Sequence, residues 1–186
     1  MDKQTILGNY SNLYGQLNVE TQEHSLNVGN ICACCAPQLS LDAERAFKIG
    51  LLHDVGKIYI PSRILNKNKQ LNDIEREVVD LHAYFGYRVL KISGESPSVY
   101  IPILFHHGFT KSRIIEPEET LTDELLHYTQ LVHSADIFDA MARRRTYHDP
   151  YLENEIFKVL GDDLLCTKEI INALKLANDA IQKTNM

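Results

Sequence analysis

The sequence predicts an all-α fold. Apolar residues recur at three- and four-residue spacing in one segment after another, the period of an amphipathic helix. Cap-type residues, glycines and prolines punctuate these segments, and no stretch shows the strict alternation of a strand. The 186 residues are enough to bury one sizeable core. No internal repeat or low-complexity segment divides them, so a single domain is expected.

The N-terminal segment, 3–17, carries Ile6, Leu7, Tyr10, Leu13, Tyr14 and Leu17 at helical spacing, which predicts a helix covering one face of the core. Over 19–36, His24, Val28, Ile31 and Cys35 share a face, so His24 points inward. Glu20 lies one turn before His24 on the same face. Pro37 ends this helix. Ser40 or Asp42 suits the cap of a third helix running to about residue 54, with Ala46, Phe47, Gly50 and Leu51 inside. Gly56 can take a positive φ and end it. Ile58-Tyr59-Ile60-Pro61 reads as an extended turn, because Pro61 disfavours helix at Ile60. The lysine-rich stretch 62–70 reads as a solvated loop.

Asn72 and Glu75 form a capping-box pattern that opens a helix near residue 73. It carries Val78, Val79, Leu81, His82, Phe85, Val89 and Leu90, so His82 also points inward, and Gly86 one turn on permits a close neighbour. Gly94 to Pro97 is a break, followed by a shorter helix over about 98–107 in which Pro102 is tolerated only in the first turn. That helix ends in His106-His107-Gly108. Adjacent helical residues point about 100° apart, so both imidazoles reach one centre only at a helix end. Residues 108–121 are polar and irregular. A long helix from Thr122 to Arg144 then buries Leu125, Thr129, Val132, Asp136 and Ala140. Asp136 inside an apolar stripe is costly unless it meets a cation. Asp139 is placed to support the same site or to cap a neighbour. Helices over about 151–160 and 167–183, separated by Gly161 and with Thr167 as a cap, complete a scaffold.

Composition excludes several classes. The net charge of −6 argues against a general nucleic-acid-binding surface, while leaving room for a local basic pocket. No apolar stretch is long enough to span a bilayer. Met1-Asp2-Lys3 leads into no signal-like segment. Cys32, Cys34 and Cys35 crowd within one helical turn and Cys166 stands apart, a spacing unsuited to a disulfide framework. Reduced thiols packed on a helix, and a cytoplasmic setting, are expected.

The chemistry gathers around Leu51-Leu52-His53-Asp54-Val55-Gly56-Lys57. An imidazole beside a carboxylate can serve two metal ions, the carboxylate bridging with one oxygen on each. The remaining ligand types sit at inward or helix-end positions elsewhere: His24, His82, His106, His107 and Asp136. The set exceeds one coordination sphere, so two divalent first-row metal ions are implied. Histidine and carboxylate without cysteine suits Mn, Fe or Zn, with Fe and Mn foremost. Glu20 would extend the site to a third ion. Lys57 brings a cation to where a phosphate would sit.

In this order, His24, His53-Asp54, His82, His106-His107 and Asp136, the sequence resembles the HD superfamily of metal-dependent phosphohydrolases. More narrowly it is similar to the HD-GYP branch, known for hydrolysing cyclic di-GMP. Glu23-His24-Ser25, Leu52-His53-Asp54-Val55-Gly56-Lys57-Ile58 with Ile60-Pro61 and Ile64-Leu65, His82 with Gly86, and Ala135-Asp136-Ile137-Phe138-Asp139-Ala140 with Arg145 and Tyr147 carry the likeness. It covers residues 20 to about 175. The resemblance implies one HD domain over 1–186 with its core at about 19–176, a helical bundle with the metal site at its centre. It implies that His24, His53, Asp54 and Asp136 hold one metal and that Asp54, His82, His106 and His107 hold the other. Glu20 matches a ligand position of trinuclear members. Lys57 would assist the leaving oxygen and Arg145 would contact a phosphate.

The resemblance has two departures. The His pair leads into Gly108-Phe109-Thr110-Lys111-Ser112-Arg113-Ile114, without the Gly-Tyr-Pro that the branch carries there. His148 stands where the branch often has Lys. The expected function is hydrolysis of a cyclic dinucleotide, cyclic di-GMP first, by a metal-activated hydroxide. The alternatives are an HD phosphohydrolase acting on another nucleotide, and a non-catalytic HD signalling module. The expected partners are a small nucleotide and a cyclase or sensor protein, with no nucleic-acid polymer and no membrane.

Overall fold

In the computed structural model, residues 3–108, 120–143 and 150–184 are described, with side chains through residue 179. Among these residues the backbone forms α-helices and short 3-10 turns and no strand, as the periodicity predicts. The expectations for Phe109 to Ile114, Arg144, Arg145, Tyr147 and His148 lie outside the described residues.

The helix expected over 3–17 is two: α1 (Lys3–Asn9) and α2 (Ser11–Tyr14), broken at Tyr10. The apolar spacing continues through the break because both pieces face the same wall. Ile6 is fully buried against Phe47 and Leu51, with Tyr10 and Tyr14 packed beside them. Helix α3 (Val19–Cys35) opens on Asn18, whose side chain accepts from the Thr21 amide at 2.8 Å. The α-helix ends before Pro37 as expected, and residues 36–39 continue as a 3-10 turn that Ser40 ends in the left-handed region at φ 56°. Asp42, not Ser40, therefore caps α4 (Ala43–Leu52), accepting from the Arg45 amide at 2.7 Å.

After α4 the chain turns through a 3-10 segment, Val55–Tyr59, with Ile60 extended before Pro61. The stretch read as a loop begins with one helical turn, α5 (Ser62–Leu65). The capping box of Asn72 and Glu75 opens α6 (Asp73–Asp80). The helix expected to continue through residue 90 breaks at Leu81, and α7 (His82–Ile92) begins on the histidine. Helix α8 (Pro97–Phe105) holds Pro102 past its first turn, so residue 102 gives no amide hydrogen to the helix. Helix α9 (Asp123–Ala142) is capped by Thr122. Gly161 falls inside α10 (Glu153–Asp162) rather than after it, because residues 163–167 make the actual break. Thr167 caps α11 (Lys168–Thr184) as expected.

The arrangement centres on α3, which packs against α4, α9 and α11. Helix α8 packs against α4, α7 and α9, and α10 lies on α9. Two backbone contacts set the spacing. A Cβ on Gly50 would stand 2.8 Å from the Gly29 Cα, so α3 and α4 touch backbone to backbone. Gly56 does not take the positive φ expected of it; among the described glycines only Gly94 and Gly108 do. It is required for proximity instead. A Cβ there would lie 2.0 Å from the His82 carbonyl oxygen and 2.4 Å from the Gly86 amide. The 3-10 turn after His53-Asp54 is thereby pressed onto the start of α7.

Helix α9 is buried nearly all round through its middle: Leu131, Val132, His133, Ser134 and Ala135 are consecutive and buried. A single stripe describes it poorly because α3, α4, α8, α10 and α11 all pack on it. Ala140 is only partly buried, while Asp139 is buried more deeply than Asp136.

Candidate metal centre

Three of the histidines are placed by one local device. His53, His82 and His106 each follow the last turn of a helix, α4, α6 and α8 respectively. Each donates Nδ1–H to the carbonyl three residues before: Gly50 at 2.7 Å, Val79 at 2.6 Å and Ile103 at 2.7 Å. Last-turn carbonyls lack intrahelical partners, so the imidazole supplies the missing hydrogen bond. The donation also fixes the tautomer, with the proton on Nδ1 and the lone pair on Nε2, as is usual for a metal-ligating histidine.

These lone pairs converge. His82 Nε2 stands 3.3 Å from His106 Nε2 and 3.2 Å from His107 Nε2. With both Nδ1 atoms donating elsewhere, His82 and His106 face each other as two acceptors, an arrangement that a cation reconciles. His53 Nε2 is buried and has no hydrogen-bond partner among the described residues. An orphaned ring nitrogen of this kind is costly unless a metal takes its lone pair. The residues thus fit the ions their types imply.

Asp54 sits between the two halves. Its Oδ1 lies 3.2 Å from His82 Nε2, and its Oδ2 lies 3.5 Å from His53 Nε2 and 3.9 Å from His24 Nε2. Lys57 Nζ donates to the same Oδ2 at 2.6 Å. Lys57 therefore holds the carboxylate that lies between the two halves. On the α9 side, Asp136 Oδ1 lies 2.9 Å from His24 Nε2 and 3.8 Å from His53 Nε2. Three overlapping groups have ligand atoms close enough to share an ion: His24, His53 and Asp54; His53, His106 and Asp136; and His82, His106 and His107.

Protonation suits ligation. Burial would raise Asp54, but Lys57, His53, His82 and His24 hold it well below the usual carboxylate range. Burial would raise Asp136 too, and the hydrogen bond with His24 together with the charges of His53 and His24 outweighs it, so Asp136 also lies well below. Burial keeps His106 well below its ordinary value, helped by the neighbouring imidazoles, and pushes His107 down to about 3. His82 is lowered by burial as well, against the pull of Asp54. His24 is the exception. Burial lowers it, yet hydrogen bonds to Asp136 and Asp139 prevail and raise it to about 9. A cation held by His24 Nε2 must displace that proton.

All seven residues read from the sequence as primary ligands come together here. Glu20 is exposed in the first turn of α3 and belongs to none of the three groups. Arg145 lies outside the described residues. Two further residues support the ligands, Asp139, which the sequence places for that task, and His133, which it does not single out. Asp139 Oδ2 accepts from His24 Nδ1 at 2.7 Å. His133, buried on α9, donates Nδ1–H to the His106 carbonyl at 2.7 Å. Its signal was a histidine one turn before Asp136 in an otherwise apolar stretch.

Beside Lys57 opens a cavity of about 590 Å³ whose walls include Lys67, Lys69, Ile64, Leu65 and Val79. It combines apolar sides with cations, as a pocket for a phosphorylated heterocycle would.

The HD domain family model matches residues 21–141. The chain is 31% identical over 175 residues to a cyclic di-GMP phosphodiesterase of Thermotoga maritima, covering 87% of this chain and 46% of that protein. It is 25% identical over 150 residues to a 3'3'-cGAMP-specific phosphodiesterase of Vibrio cholerae, covering 78% of this chain and 34% of that protein. A ribonuclease Y of Clostridium perfringens is 31% identical over 140 residues, 74% of this chain and 22% of its own. The chain thus spans less than half the length of these relatives. The HD domain of the L. monocytogenes phosphodiesterase PgpH, solved in complex with cyclic-di-AMP, superposes with a TM-score of 0.67 at 16% identity, covering 94% of this chain and 97% of that one. At that identity the likeness concerns the fold.

Proposed function

The chain belongs to the HD domain family, and from that membership we propose that it is a metal-dependent phosphodiesterase that opens a cyclic dinucleotide. The observation that carries this reading is the convergence of His53 and His82 on the two oxygens of Asp54, with His106 Nε2 beside His82 Nε2 and the tautomers of all three fixed by helix-end carbonyls. Cyclic di-GMP is the first substrate to test, supported by the Thermotoga relative and by the features that resemble the HD-GYP branch. The relatives named for cGAMP and cyclic-di-AMP keep the choice of purine open.

In this proposal His24, His53, Asp54 and Asp136 hold one ion, and Asp54, His82, His106 and His107 hold the second. When bound, such ions polarise a phosphoryl oxygen and lower the pKa of a bound water. The chain's own residues do the rest. Lys57, anchored on Asp54 and lining the cavity, places a preorganised cation where phosphate charge grows. Lys69 offers further charge to a second phosphate, Lys67 is paired with Glu75, and Ile64, Leu65 and Val79 give a base an apolar wall. Arg145 is proposed as a phosphate contact from the sequence. Glu20 would join a third ion only from the solvent side of α3. No helix among the described residues is long and apolar enough to cross a membrane. A cytoplasmic setting, one domain with its core at about 19–176, and a cyclase or sensor partner remain part of the proposal.

The test is turnover on a panel of cyclic di-GMP, 3'3'-cGAMP, cyclic-di-AMP, cyclic mononucleotides and short RNA, with metal content measured on the same protein. The expected result is a linear dinucleotide from at least one cyclic dinucleotide. Cleavage of RNA alone would overturn the substrate class. Full metal with no turnover of anything would make the chain a binding module.

A further inference from the structure

Behind His106 a second group of ligand types meets, at the junction of α9 with the 163–167 connection. We propose that His133, Asp163 and Cys166 form a separate site for a single zinc-like divalent ion, which clamps this connection to α9. One nitrogen, one oxygen and one sulfur lie within 4.8 Å of one another.

The donor chemistry supplies the second observation. His133 Nδ1 stands 2.7 Å from the His106 carbonyl, which can only accept, so the proton is on Nδ1 and the Nε2 lone pair points away. That nitrogen meets a carboxylate, Asp163 Oδ2, at 3.1 Å. A proton on Nε2 or a cation can join the two atoms. A proton would join only this pair, whereas the Cys166 sulfur lies within 4.8 Å of both atoms. A cation takes all three donors. His133 is then oriented as metal-bound histidines are, with its other nitrogen on a backbone carbonyl. The Cys166 Sγ also lies 3.1 Å from the Ser134 hydroxyl, whose one proton is shared between the sulfur and the Gln130 carbonyl at 2.8 Å. The turn is also prepared: Asp163 Oδ1 accepts from the Leu165 amide at 2.8 Å, and its carbonyl accepts from the Cys166 amide at 3.2 Å. This brings the carboxylate and the thiol to one side of an Asp-x-x-Cys loop.

A thiolate with an imidazole selects Zn²⁺ or a similarly soft ion, unlike the sulfur-free set of the main centre. Binding expels the Cys166 thiol proton to solvent, and water can complete the shell beside the partly exposed Asp163. The consequence for the main centre is mechanical. An ion fixed on His133 holds the imidazole that in turn holds the backbone of His106.

The test uses the full chain, stripped by chelator and refilled with Co²⁺, because a thiolate bound to Co²⁺ gives a near-ultraviolet charge-transfer band that His and Asp ligands do not. The expected result is a band that persists in Cys32→Ser and Cys35→Ser and vanishes in Cys166→Ser, together with one fewer zinc per chain in Cys166→Ser. No band in the Co²⁺-saturated parent chain, or a band unchanged in Cys166→Ser, overturns the proposal. Asp163→Asn guards against a variant that fails to fold: it keeps the thiol and should weaken Zn²⁺ at this site by more than about tenfold. Unchanged Zn²⁺ affinity in Asp163→Asn likewise overturns it. None of these readouts depends on turnover.

Discussion

Asp139 Oδ2 accepts the Nδ1 proton of His24 at 2.7 Å, while Oδ1 of the same carboxylate accepts from Asn27 at 3.0 Å and from Arg143 Nε at 3.2 Å. One buried carboxylate on α9 thus fixes two side chains of α3 and aims His24 Nε2 at Asp136. Replacing it tests orientation without removing a ligand. Asp139→Asn should lower affinity for the ion on His24 by about 10–100-fold, the usual cost of losing such a partner. Titration of the stripped protein with Mn²⁺ checks this. An unchanged affinity would show that α3 packing alone holds the ring.

Asp54 and Lys57 separate metal binding from phosphate chemistry. Asp54→Ala removes the only carboxylate that reaches His53 and His82 together among the described ion pairs. It should lose at least one ion and essentially all turnover. Lys57→Ala should keep its metal and slow turnover on the order of 10²–10³-fold, the cost of one preorganised charge-stabilising group. Metal content and rate measured on the same samples decide both. Normal turnover with full metal in Lys57→Ala would remove Lys57 from the mechanism.

Gly56→Ala puts a methyl group 2.0 Å from the His82 carbonyl oxygen. Backbone must move, since neither neighbour is a flexible side chain. The overpacking cost should reach or exceed the upper end of the common range of about 1–3 kcal/mol. Chemical denaturation measures it. The same variant should bind metal less tightly, because His82 is displaced along with its carbonyl.

The metal-stripped protein should be most stable near about pH 6.5 and lose stability on both sides. His107, lowered to about 3, stays neutral in the fold while the unfolded chain takes up its proton, so its contribution is full above 6.5 and falls as pH drops below it. His106 and His82, also lowered, act in the same sense. His24, raised to about 9, contributes fully below 6.5 and is lost as pH rises through 9. Thermal midpoints of the stripped protein at acidic, near-neutral and alkaline pH check this. A midpoint that climbs steadily to pH 9 would show that His24 is not held by its two carboxylates.

The three thiols of α3 carry no metal in this account: Cys32 and Cys35 are buried and Cys34 is exposed. Replacing each with Ser or Ala should leave metal content unchanged by elemental analysis, and loss of an ion in any one would reassign it.

The sequence by itself determined the helical class and which seven side chains of ligand type would meet. A histidine or aspartate inside an apolar period has one physical reading, inward, and His24, His82 and Asp136 obeyed it. His53, His106 and His107 were legible for another reason: residues at a helix end can turn toward a centre that a mid-helix neighbour cannot reach. Tertiary structure decided what period alone cannot express. The break at Leu81 puts His82 at a helix start, where its ring can bind the Val79 carbonyl. Gly56 is needed for the approach of another segment, not for its own φ, and an approach between distant residues leaves no local trace. The partner of Asp139 and the role of His133 are not legible because α9 is enclosed on several sides, so that no single stripe marks what faces the centre. Their roles depend on which carbonyl or imidazole another helix brings within hydrogen-bond reach, and packing alone sets that distance.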